Sequence, residues 1–271
     1  MAEYEVKVVP VGESDMHYTV FGHGPKTLVI LPGVSVTPVY YSAAGIATAF
    51  AGFEDDYTVY VFDRIDDLKP GHLTEEMAED TVRAIKALGL KDIYLFGTSH
   101  GGMMAQYVAE EYPELVKKLA VCSTLPRQNE ISRKTFAKWV ELAGKDGMEE
   151  LNRDINLHVY APWYYKKFEA VFKELEKVGT AHDRERFGIM SEACLEFNRF
   201  DELKKIKCPT AVFGAWEDSV LGYEGSIEIA QTLACPLVIK SAYGHAVYDE
   251  NAGLKGEVKK FFDEEYIGDE I

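Results

Sequence analysis

The chain has 271 residues, 47% of them hydrophobic and 27% charged, enough apolar material for one large packed domain and far from a disordered or collagen-like composition. A formal net charge of -16 opposes approach to phosphate backbones and anionic lipid surfaces, which argues against nucleic-acid and membrane partners. No apolar run reaches the length of a membrane span, and the opening MAEYEVKVV is acidic rather than basic-then-apolar, so a cytoplasmic protein is expected.

In chain order, the first quarter reads as strands: YEVKVV from Tyr4, MHYTVF from Met16 and KTLVILPG from Lys26 to Gly33. Turn residues separate them, Gly12 to Asp15 in one gap and Gly22 to Pro25 in the next. The third is a continuous apolar run, as expected of a strand covered on both faces. A helix is expected near Ser42 to Phe50, a strand from Tyr57 to Asp63, and a second helix from Thr74, with Thr74 as N-cap and Glu75 and Glu76 in the first turn. Gly89 ends that helix.

A strand from Asp92 to Phe96, a helix from Gly101 to Glu111 and a strand from Leu119 to Ser123 follow. From about Leu125 to Lys207 the strand signal gives way to aromatic-rich helical stretches. Alternation resumes with a strand from Thr210 to Gly214, a helix near Glu224 to Leu233, a strand from Pro236 to Lys240 and a last helix from about Tyr248 to Phe262. The acidic end DEEYIGDEI reads as a solvated tail. Strand and helix in alternation specify an α/β fold: a mostly parallel eight-stranded sheet with helices on both faces. The expected organisation is a core of residues 1–125 and 208–271 with a helical cap inserted at 126–207. The cap carries 16 Lys and Arg against 15 Asp and Glu, so the acidic excess lies in the core.

Cys122, Cys194, Cys208 and Cys235 are too widely spaced for a zinc or redox motif and read as scattered thiols. Nothing in the sequence calls for a metal or an organic cofactor.

The informative string is Gly97-Thr98-Ser99-His100-Gly101-Gly102, a G-x-S-x-G sequence between a strand and a helix. Such a turn is tight enough that side chains two positions either side of the serine would collide, which Gly97 and Gly101 avoid. It lifts the Ser99 hydroxyl over the carboxyl edge of the sheet, where open α/β sheets bind ligands.

A serine hydroxyl needs a base to act as nucleophile. Of seven histidines, His245 is the candidate, because it lies between the last strand and the last helix, where a loop returns over that edge. His100 adjoins Ser99 on one helix, and adjacent helical side chains diverge. The acid that orients the imidazole is Asp218, with Glu217 as rival; the order Ser, Asp, His is the order this kind of fold uses. Oxyanion donors are expected from the backbone N–H groups of His100 and Val34, the latter beside Gly33.

With these segments in view, the chain resembles the α/β-hydrolase superfamily, in its cap-bearing serine-hydrolase branch. The likeness is densest from Ala78 to Ser123, through DIYLFGTSHGG, Met103, Met104, Ala105 and Tyr112-Pro113-Glu114-Leu115-Val116, and recurs at GHAVYDE. Three positions depart from the family pattern. Pro32-Gly33 stands where a His-Gly pair is frequent, and Asp63-Arg64-Ile65 replaces an Asp-x-Arg-Gly turn. The family's usual acid position is occupied by Glu217, but Ser219-Val220-Leu221 resembles the stretch that trails the acid, which favours Asp218.

Serine rather than aspartate at the elbow separates the chain from dehalogenases and epoxide hydrolases of this fold. The resemblance implies hydrolysis of an ester or related carbonyl compound through an acyl-enzyme, with a small molecule as substrate. The same triad also serves C–C bond cleavage, acyl transfer and peptidase chemistry, and the scaffold serves small-molecule receptors. Trp139, Tyr160, Trp163 and Tyr164 of the expected cap are candidates for the pocket wall. No oligomeric state can be read from the sequence.

Overall fold

In the computed structural model, which describes residues 3–264, the first half of the chain alternates strands and helices. They are β1 (Tyr4–Val11), β2 (Ser14–Phe21), β3 (Lys26–Leu31), α1 (Ala43–Ala49), β4 (Tyr57–Ile65), α2 (Thr74–Ala87), β5 (Ile93–Thr98), α3 (His100–Glu111) and β6 (Val116–Cys122). Five helices follow without a strand: α4 (Glu130–Ala143), α5 (Glu149–Val159), α6 (Pro162–Lys167), α7 (Glu169–Leu175) and α8 (Ala181–Glu196). The pattern then returns with β7 (Thr210–Ala215), α9 (Glu224–Leu233), β8 (Leu237–Lys240), α10 (Val247–Glu250) and α11 (Leu254–Asp263).

The strands form one eight-stranded sheet in the order β1-β2-β4-β3-β5-β6-β7-β8. β1, β2 and β4 pair antiparallel, and every pairing from β4 through β3 to β8 is parallel. This is the expected fold class. Side chains of a strand alternate between faces. Thus Val29, Leu31, Ile93 and Leu95 join Met77, Ile85, Val108 and Ile229 in the core on one side. Leu28, Ile30, Tyr94 and Phe96 join Ala47, Phe53, Val258 and Phe262 on the other. A third core, around Phe136, Trp139, Leu151 and Phe187, holds the helices between β6 and β7 together.

Register aligns the carboxyl ends of the parallel strands: Leu31 pairs with Gly97, Thr98 with Cys122, Cys122 with Phe213 and Ala215 with Lys240. The segments that follow β3, β5, β7 and β8 therefore emerge along one edge, which sets the functional site.

Some local expectations need correction. The N-cap of α2 is Leu73, whose N–H donates to Glu76 at 2.8 Å, while Thr74 is the first helical residue and turns its hydroxyl inward. The last helix is two helices, broken between Glu250 and Leu254. Asp263, expected in a solvated tail, is the final residue of α11 and accepts from Lys26, Tyr57 and Lys259; the tail from 265 onward lies outside the described residues. Among the described residues, no helix is long and apolar enough to cross a membrane.

Candidate active site

Ser99 sits between β5 and α3 with φ 54° and ψ -123°, a backbone conformation that L-residues adopt only when their surroundings enforce it. Its N–H donates to the Cys122 carbonyl at 3.0 Å, and its own carbonyl accepts from the Thr124 hydroxyl at 2.8 Å. The glycines are sterically required. A methyl at position 97 would lie 2.7 Å from Ala105 Cβ, and one at 101 would lie 1.9 Å from the Leu31 carbonyl oxygen. Cys122 beside the turn is no rival nucleophile, because burial pushes its thiol up to about 12.

Asp218 follows β7 and is buried. Its Oδ1 accepts the N–H groups of Val220 and Leu221, each at 2.9 Å, and its Oδ2 lies 2.8 Å from His245 Nδ1. A carboxylate can only accept, so Nδ1 carries the proton and Nε2 is left with a lone pair. Glu217, the rival, is exposed, and only its backbone N–H reaches the site's surroundings, donating to Tyr243.

The loop bearing His245 is pinned against the segment joining α5 to α6. The Ala246 N–H donates to the Val159 carbonyl at 2.9 Å, and Glu250 accepts from both Gly244 N–H, at 2.8 Å, and Ala161 N–H, at 2.5 Å.

Ser99 and His245 line one cavity of about 170 Å³, together with Gly33, Val34, Trp139 and Tyr160. Among the described residues, no hydrogen bond joins the Ser99 hydroxyl to His245. Such bonds commonly tighten only in the substrate complex.

The segments that carry the expected oxyanion donors both adjoin Ser99. A methyl on Gly33 would come within 3.0 Å of Ser99 Cβ, so the loop carrying Val34 abuts the serine. The His100 N–H belongs to the first turn of α3, where N–H groups have no intrahelical acceptor. The His100 imidazole is fully buried between the Arg64 guanidinium and the Thr74 hydroxyl, each 3.1 Å away. Burial, reinforced by Arg64, holds it well below the ordinary histidine range, and it is neutral.

Two of the expected wall residues are elsewhere. Trp139 and Tyr160 do line the cavity, but Trp163 and Tyr164 do not. Trp163 follows Pro162 in the first turn of α6, remains 43% exposed and donates its indole N–H to the Ala242 carbonyl, while Tyr164 stacks on Tyr160 and packs at a tilt against Phe168. Sequence reasoning missed Ile155, Asn156 and Val159 on α5, and Tyr248 three residues after His245. Tyr248 carried a signal in its spacing from His245; the α5 residues carried none.

Residues 28–252 match the family model described as alpha/beta hydrolase fold. The chain belongs to this family. Curated relatives include a protein of Rhizobium rhizogenes provisionally named carbamate hydrolase RutD, 24% identical over 245 residues that span 86% of this chain and 91% of the relative. A protein of the same name from Stutzerimonas stutzeri is 23% identical over 85% of this chain and 90% of its own length.

Among solved structures, the enol-lactonase from Burkholderia xenovorans superposes with a TM-score of 0.83 at 19% identity, covering 95% of this chain and all, 100%, of that one. The 2-hydroxy-6-oxo-6-phenylhexa-2,4-dienoate hydrolase from a Rhodococcus species gives 0.82 at 18% identity, covering 97% and 100%. At these identities the structural likenesses establish the fold alone.

Proposed function

We propose that this α/β-hydrolase protein is a serine hydrolase that cleaves an ester or related carbonyl compound through an acyl-enzyme. His245 Nε2 takes the Ser99 proton as the hydroxyl attacks the carbonyl carbon. Asp218 holds the imidazole in the required tautomer and balances the imidazolium that forms. The backbone N–H groups of Val34 and His100 stabilise the oxyanion without rearrangement during the reaction. His245 then returns the proton to the leaving group and activates the water that releases the acyl group.

The observation that carries this reading is the 2.8 Å contact of His245 Nδ1 with Asp218 Oδ2, on an imidazole that shares a cavity with the strained Ser99. The carbamate and lactone in the names of similar proteins are carbonyl compounds of the same reactive class. We also take residues 126–207 as a cap over that cavity, since Trp139, Ile155 and Tyr160 of this segment complete its wall.

The test is labelling by a fluorophosphonate. Wild type should be labelled covalently and Ser99→Ala should not; equal labelling of both would remove Ser99 from the mechanism.

A further inference from the structure

A second cavity, of about 300 Å³, shares Gly33, Val34, Tyr160 and Tyr248 with the one that holds Ser99. At roughly 30 Å³ per small group, the space water takes in the liquid, it admits about ten heavy atoms. Most of its wall is apolar, with Ile30, Val39, Ile46, Phe50, Val61 and Phe96. Among the lining residues the single charged side chain is Asp249.

Asp249 is 46% accessible as a side chain, and it lines the cavity wall. Burial raises its carboxyl above the ordinary aspartate range, with Lys255 opposing that shift. The Lys255 ammonium lies 3.6 Å from Oδ1 and donates to the Tyr248 carbonyl. Among the described residues, the contact to the Asp249 carboxylate is this Lys255 ion pair through Oδ1, which leaves Oδ2 open to the cavity. An accessible acceptor in an otherwise apolar wall is free to take a donor from whatever enters the cavity.

We propose that this cavity receives a medium-length aliphatic arm of the substrate and that Asp249 recognises a hydroxyl group carried on that arm. A carboxylate there would meet Asp249 as a like charge. A cation is not required, because Lys255 already balances the charge. A neutral hydroxyl supplies the missing donor at a low desolvation cost, and Tyr160 and Tyr248 line the shared wall on its route to Ser99. The proposal rests on Ser99 as the reacting group only for the direction in which the arm points.

Binding tests it apart from turnover. In the Ser99→Ala protein, calorimetry compares pentyl pentanoate with two derivatives, hydroxylated at the far end of the acyl chain or of the alcohol chain. One derivative should bind about tenfold more tightly than the parent, as for a hydrogen bond to a charged acceptor, and which one tells which half occupies the cavity.

Adding Asp249→Leu should abolish the preference, and Asp249→Asn, which keeps the shape and an acceptor oxygen, should retain part of it. If neither derivative binds more tightly than the parent, or if the preference survives both substitutions, the subsite is overturned. Absence of Ser99-dependent turnover in wild type would count against the hydrolase reading and leave the binding result standing.

Discussion

Arg64 Nη2 lies 3.1 Å from His100 Nδ1 while donating to the Pro32 carbonyl oxygen at 2.7 Å. A guanidinium only donates, so His100 Nδ1 accepts and its Nε2–H points to Thr74. Burial draws Arg64 down to about 10, which leaves it charged at neutral pH. One buried cation thus braces the two pieces of backbone that carry the proposed oxyanion donors, the loop of Val34 and the first turn of α3.

Arg64→Met should therefore lower kcat about ten- to a hundredfold, less than removal of a whole oxyanion donor, with a smaller change in KM. Steady-state kinetics on an activated ester, with folding checked by circular dichroism, measures this. An unchanged kcat would detach Arg64 from the site.

Asp218→Asn should lower kcat by about 10⁴, because an amide that donates toward Nδ1 selects the wrong imidazole tautomer. The Val220 and Leu221 N–H groups favour the amide oxygen at their side, which turns the amide nitrogen to His245. A loss of less than tenfold would mean that another group orients the base.

Arg186 on α8 donates to Asp63 at the end of β4, 2.7 Å away, and both side chains are buried. Arg186→Met leaves that carboxylate with fewer donors in a buried place, so unfolding free energy should fall by about 3 kcal/mol or more. Urea denaturation measures it, and a change below about 1 kcal/mol, the size of a surface ion pair, would contradict this reading.

Asp263 gives a pH signature. Burial alone would raise its carboxyl, but hydrogen bonds from Lys259, Lys26 and Tyr57 outweigh burial and bring it down to about 2. A carboxyl depressed on folding adds stability above its unfolded value and loses it as pH falls through the folded one. Asp263→Asn should cost about 1–2 kcal/mol at pH 7, somewhat below the full linkage value because the side chain is partly exposed, and should converge with wild type near pH 2. Parallel stability curves across that range would be the opposing result.

The fold was legible because strand alternation and the glycine turns are local signals: β3 and β5 read as apolar runs, and the elbow needs glycine where the backbone crowds Leu31 and Ala105. Ser99, Asp218 and His245 were legible as positions, since each follows a strand whose carboxyl end register aligns with the others. The partners of Arg64 and Arg186 were not, because a pairing such as Arg186 with Asp63 joins residues remote in sequence and leaves no periodic trace. Trp163 and Tyr164 misled for a related reason: aromatic content marks a packed helical segment but not which side of it faces the cavity.

The acyl-enzyme itself is the most direct test of the account. Protein quenched in acid during turnover of an activated ester and digested should show the acyl mass on the peptide containing Ser99 in wild type and no acyl mass there in Ser99→Ala. Acyl mass on a different peptide, or turnover with no covalent adduct under any quench time, would contradict it.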